Sequence, residues 1–170
     1  MPDIGPIVIV GFMGCGKTQI ARALARRLNA VMIDLDDQIT KDTGRSPAQL
    51  IVEDGEAAFR AVESETLRQV LEKGDAKVIS LGGGAWIQED NRELIEEYGG
   101  TSVWLDAPFE TCWARIEAAR EVRPLGRTRD QALALYHQRW PVYASADVRI
   151  PVRDENADQL IRVICGHLIF

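Results

Sequence analysis

Gly11, Gly16, Lys17 and Thr18 in the stretch GFMGCGKT are spaced as G-x-x-x-x-G-K-[ST], a spacing that can hold phosphate. In such a loop the amide N–H groups turn inward onto an anion. The helix that follows adds partial positive charge, the lysine reaches the β- and γ-phosphates, and the threonine hydroxyl can ligate Mg²⁺. Gly14 adds freedom where the backbone must wrap closely. The motif lies between the apolar run IVIV, residues 7 to 10, and the helical pattern QIARALARRL, the strand–loop–helix context it requires. An ordinary glycine turn is the plainer alternative, and this context favours the phosphate loop. The expected nucleotide-binding set here is Gly14, Cys15, Gly16, Lys17, Thr18 and Gln19.

The loop leaves the acceptor open: water, protein or a small molecule. In VMIDLDD, Asp34 and Asp36 stand two apart near the end of an apolar run, so if a strand persists there they share a face. One could hold the water shell of a magnesium ion while the other orients or deprotonates a hydroxyl; alternatively one merely caps a helix starting near Asp37. Arg60 and Glu63 in GEAAFRAVE are spaced i, i+3 and can pair on a helix, and spacing alone slightly favours a surface salt bridge. Gly82, Gly83 and Gly84 follow the apolar run KVISL, where a parallel sheet opens to ligands; a flexible turn is the alternative. Arg115, Arg120, Arg123, Arg127, Arg129 and Arg139 crowd one acidic-protein segment. Arginines of this kind can grip phosphate or carboxylate through paired hydrogen bonds, and a closing segment could carry them over a nucleotide. Arg127 and Arg129 are expected on a solvated face, and His137 and His167 to be structural or exposed.

These residues need a scaffold. Five apolar runs, 7 to 10, 31 to 35, 77 to 81, 101 to 105 and 147 to 152, alternate with helical patterns. That order predicts an α/β fold, a five-stranded parallel sheet between helical layers. Ile20, Leu24 and Leu28 make one apolar stripe on the helix after the glycine loop. Further helices are expected over 56 to 72, over 128 to 140 with its end at Trp140-Pro141 because proline disfavours helix in its predecessor, and over the C-terminal ADQLIRVICGHLIF. The chain has 170 residues with 46% hydrophobic content, enough for one continuous core, and a single domain is expected. It lacks any apolar run near the roughly 20 residues of a membrane span, and its start lacks signal-peptide features, so a cytoplasmic protein without membrane contact is expected. A net charge of −6 argues against broad nucleic-acid binding. Cys15, Cys112 and Cys165 lack metal-ligand spacing and read as reduced thiols rather than zinc ligands.

Taken in order, GFMGCGKT, DLD at 34 to 36, TGRS at 43 to 46, GEAAFRAVE at 55 to 63, SLGGGA at 80 to 85, RPL at 123 to 125 and RWPVY at 139 to 143 resemble the shikimate kinases across nearly the whole chain. The resemblance implies a P-loop NTPase fold of the nucleoside monophosphate kinase type, 1–170 as one domain, with an acceptor-binding helical segment near 36–63 and a lid near 115–130. It implies transfer of the γ-phosphate of ATP to the 3-hydroxyl of shikimate, on the way to aromatic amino acids. Lys17 and Thr18 would take the phosphate and Mg²⁺ roles, with Asp34 supporting the metal. Asp36 would hold the hydroxyls and act as base, and Arg60 and Arg139 would bind the carboxylate beside Gly82, Gly83 and Gly84. Arg123 would be the lid arginine at the transferred phosphate and Arg115 a neighbour of the adenine. A monomer is expected. After RPL the family commonly continues with leucine, where this chain has Gly126. The alternatives are a related kinase for another small hydroxy acid and a nucleotide-binding regulatory domain without transfer activity.

Overall fold

The computed structural model describes residues 5–119 and 124–168. Among them, five parallel strands form one sheet: β1 (Ile7–Val10), β2 (Met32–Asp34), β3 (Val78–Ser80), β4 (Thr101–Asp106) and β5 (Val148–Pro151), in the order β2-β3-β1-β4-β5. β1 is central because all four of its residues are apolar and buried, as a strand covered on both faces must be. It pairs with β3 through Ile9 opposite Ser80 and with β4 through Ile9 opposite Val103. All five strands point the same way, so the loops at their carboxyl ends share one edge of the sheet.

Helices fill the crossovers: α1 (Lys17–Leu28), α2 (Leu35–Thr43), α3 (Pro47–Asp54), α4 (Glu56–Lys73), α5 (Glu89–Glu97), α6 (Phe109–Ala119), α7 (Arg129–Tyr143) and α8 (Ala157–Leu168), with a short 3₁₀ turn at Ala85–Ile87. Their limits follow from local chemistry. Ser46 and Gln49 cap α3 reciprocally, with Pro47 in its first turn, and Thr128 and Gln131 cap α7 in the same way; each arrangement satisfies amides that the helix itself cannot. The apolar stripe of α1 buries Ile20 and Leu24 against the sheet.

One helix end differs from expectation. α7 does not stop at Trp140 but runs through Pro141 to Tyr143. Proline removes one intrahelical hydrogen bond and crowds the preceding turn, but here the residues around it are anchored elsewhere. Trp140 meets the Trp104 ring edge-on at 5.3 Å. Trp86 Nε1 donates to Val142 O at 3.1 Å, and the Tyr143 hydroxyl donates to Gly83 O. Tertiary contact outweighs the local preference.

Candidate active site

The loop after β1 is shaped as a phosphate cradle. Gly14 and Gly16 take φ of 79° and 98°, the left-handed region that costs glycine nothing. α1 then opens without a side-chain cap, so its first amides are open to an anion. Lys17 is buried, its Nζ donating to Gly11 O at 2.8 Å and Phe12 O at 3.0 Å. Cys15 is buried too, its Sγ 4.0 Å from that ammonium, so the group it can offer a ligand is its backbone. Gln19 is exposed on α1. Arg115, on α6, reaches across to donate from Nη1 to Gly14 O at 3.2 Å. Arg123 lies outside the described residues.

Asp34 joins this loop to the next strand end. Its Oδ2 accepts from Thr18 Oγ1 at 2.6 Å, while Oδ1 accepts from the amides of Asp36 at 3.1 Å and Asp37 at 3.4 Å. The strand therefore does not persist to Asp36. It ends at Asp34, which is the N-cap of α2, and the shared strand face expected for the two aspartates gives way to a cap and a first-turn position. Asp34 takes the capping role and faces Thr18 as well. The turn between them aims Asp36 toward the sheet edge, with its Oδ1 2.8 Å from the place a β-carbon on Gly82 would take.

The glycine run after β3 is explained by what surrounds it. A β-carbon on Gly82 would press on Asp36 and on Glu63 Oε1, one on Gly83 would stand 3.4 Å from Arg139 Nη1, and one on Gly84 would collide with the Arg60 guanidinium. Four charged side chains from α2, α4 and α7 thus close on one backbone segment, and at Gly82 and Gly84 they come nearer than a side chain would permit. Together they line a cavity of about 430 Å³. Ser46, Pro47, Ala48 and Ile51 of the α3 region form one wall, Met13 of the phosphate loop another, and Pro124 and Leu125 complete it.

Arg60 and Glu63 do pair, at 2.7 Å, but not on the surface. Glu63 is 1% exposed, and Arg60 also reaches Glu56 at 3.3 Å. Burial pushes the Glu63 carboxyl up to about 7; the adjacent Arg60 charge opposes that rise and the nearby Asp36 charge adds to it. Glu63 is a site residue that spacing alone assigned to an ordinary pair. Its signal was its place on the buried stripe of α4, between Phe59 and Leu67. Arg139 is 7% exposed and hydrogen-bonds Tyr143, one turn on. Arg129 pairs with Glu110 and lies over the Phe109 ring at 5.3 Å, while Arg127, His137 and His167 are exposed.

Two features side by side, a phosphate cradle on β1 and, on the neighbouring β3, a cavity in which Arg60 and Arg139 can take an anion, describe a transfer site with a small acid as acceptor. Comparison with known proteins agrees. The family model for shikimate kinase matches residues 13–168. The shikimate kinase of Cereibacter sphaeroides is 41% identical over 157 residues, covering 91% of this chain and 77% of the relative. That of Persephonella marina is 33% identical, covering 95% and 98%. Among solved structures, the Acinetobacter baumannii shikimate kinase in complex with shikimate superposes with a TM-score of 0.89 at 29% identity, covering 98% of this chain and 94% of the other. The Bacteroides thetaiotaomicron enzyme gives 0.85 at 31%, covering 98% and 99%. The sheet order, the loop and the matched length lead to one assignment: this chain belongs to the shikimate kinase family, on a P-loop NTPase fold.

Proposed function

We propose that the chain transfers the γ-phosphate of ATP to the 3-hydroxyl of shikimate, giving shikimate 3-phosphate and ADP. The observation that carries this reading is the convergence of Asp36, Arg60, Glu63 and Arg139 on Gly82–Gly84, one strand away from the phosphate loop. In this reading Arg60 and Arg139 hold the acceptor carboxylate and Asp36 faces the hydroxyl. The hydroxyl oxygen attacks the γ-phosphorus as the bond to the ADP oxygen breaks, and Asp36 Oδ takes the hydroxyl proton. Lys17 leaves the Gly11 and Phe12 carbonyls to bear on the transferred phosphate. The amides of Gly14, Cys15 and Gly16 and the start of α1, with Gln19 beside them, receive the remaining phosphates, and Arg115 flanks the nucleotide at Gly14. Arg123 is assigned the transition-state charge within a lid at 115–130; that Pro124 and Leu125 line the acceptor cavity supports the role.

Thr18 and Asp34 are the residues that would hold Mg²⁺. Their adjacent oxygens suit a hard cation that keeps waters and phosphate oxygens as its other ligands. Among the described residues no cluster of three or more His, Cys, Asp or Glu forms a cage. The ion neutralises charge on the phosphates when bound. We also read the chain as one domain working as a monomer in the cytoplasm, with 36–63 as the acceptor-binding segment; among the described residues no helix is long and apolar enough to cross a membrane.

The test is ADP release from ATP and Mg²⁺ with and without shikimate, with shikimate 3-phosphate detected directly. Shikimate-dependent release with that product is expected, and no stimulation by shikimate overturns the reading. Asp36→Asn should nearly abolish transfer while leaving ATP affinity within about twofold, because it removes the proton acceptor and not the donor loop; equal turnover in mutant and parent removes Asp36 from that role.

A further inference from the structure

Gly126, where the family resemblance leads one to expect leucine, is buried at the foot of α7. A β-carbon there would meet Met13 Cε at 3.2 Å and Ala132 Cβ at 3.6 Å. These neighbours differ in how far they can yield. Ala132 is fully buried in the first turn of a doubly capped helix. The Met13 backbone lies against the glycine run, its amide nitrogen 3.4 Å from where a β-carbon on Gly83 would sit, and follows Phe12, a buried ring that meets Tyr136 edge-on at 5.2 Å. The Met13 thioether, long and unbranched, is the neighbour that yields most readily, and Met13 lines the acceptor cavity.

The geometry points to Met13 and Gly126 as a matched pair that sets the depth of the acceptor cavity and so selects acceptor size. The inference rests on the kinase reading above. Met13 acts as a direct wall of the pocket, whereas Gly126 acts through it as a positioning residue. Bulk added at 126 drives the Met13 methyl into the space the acceptor needs. Shortening Met13 returns that space.

The experiment is a four-chain cycle of parent, Gly126→Leu, Met13→Ala and the double variant, with KM and kcat measured for both substrates. Gly126→Leu should raise KM for shikimate roughly tenfold, with KM for ATP nearly unchanged. Adding Met13→Ala should recover most of that loss. Where Gly126→Leu does not fold, Gly126→Ala is used and a smaller shift in the same direction is expected. Equal rises in both KM values, or no rescue by Met13→Ala, overturn the pair. An independent reading comes from the parent labelled with ¹³C at its methionine methyls, Met1, Met13 and Met32. The Met13 methyl should show contacts to the Gly126 α-protons and the Ala132 methyl, and absence of both overturns the pair even in an active enzyme. A parent that shows those contacts but turns over no shikimate overturns the proposed function and supports the pair as a wall of the cavity.

Discussion

Glu63 shows how one residue can carry several obligations. It is buried beside Arg60, Arg139 and Asp36, and burial keeps its carboxyl protonated up to about pH 7. The unfolded chain releases that proton near the ordinary glutamate range, about 4.3. Between these values the folded protein binds the extra proton, so this group's contribution to stability is full below the lower value and is lost as pH rises through about 7. Glu63→Gln should remove that slope: the Tm of the variant relative to the parent should climb as pH goes from about 4.5 to about 7, measured by calorimetry without ligands. A constant difference across that window would place the raised proton affinity elsewhere. The residues of the site were unevenly legible. Gly16, Lys17 and Thr18 were readable because a phosphate loop is local in sequence. Glu63 was not, because an i, i+3 ion pair has the same spacing whether water or protein surrounds it. For Asp34 and Asp36 the capping alternative is the one that holds, and the shared strand face fails because the Asp34 carboxylate stops the strand by capping α2 even though Leu35 continues the apolar run.

Among the elements, the segment from β3 into the 3₁₀ turn shapes the cavity lined by Asp36, Arg60, Glu63 and Arg139. It contributes no charged group, yet the positions of Asp36, Glu63 and Arg60 depend on its lack of side chains at Gly82 and Gly84. Gly84→Ala should therefore leave the fold intact, since the group displaced is the end of the Arg60 side chain. It should raise KM for shikimate by about tenfold or more through loss of a charge-assisted contact. Steady-state kinetics check this, with KM for ATP as the internal control; an unchanged KM for shikimate would free Arg60 from carboxylate binding. β1 and α1 were legible in the sequence from apolar content and period. The continuation of α7 past Pro141 was not, because the contacts that hold Trp140, Val142 and Tyr143 come from Trp104, Trp86 and Gly83, distant in sequence.

At the scale of the whole molecule, donor and acceptor groups share one edge of the sheet but hang from different crossovers. Ligands should then stabilise the fold separately. At concentrations about 100 times its Kd, each adds about 2.7 kcal/mol, or a Tm rise of roughly 5 to 10 °C for a chain of this size. EDTA should cut the increment from ATP and spare that from shikimate, because the Thr18–Asp34 pair lies on the donor side; calorimetric scans with each ligand test the separation, and equal losses would refute it. The strand order has one more consequence. β1 and β3 are immediate neighbours, and neighbouring strands stand about 4.8 Å apart. The sheet is thus a ruler between the roots of the two loops: the separation of the strand ends from which they start is set by backbone hydrogen bonds and not by any side chain. Mutation can retune which acid is accepted, how tightly and in what pose, but the strand ends that carry the two loops stay neighbours as long as the sheet does.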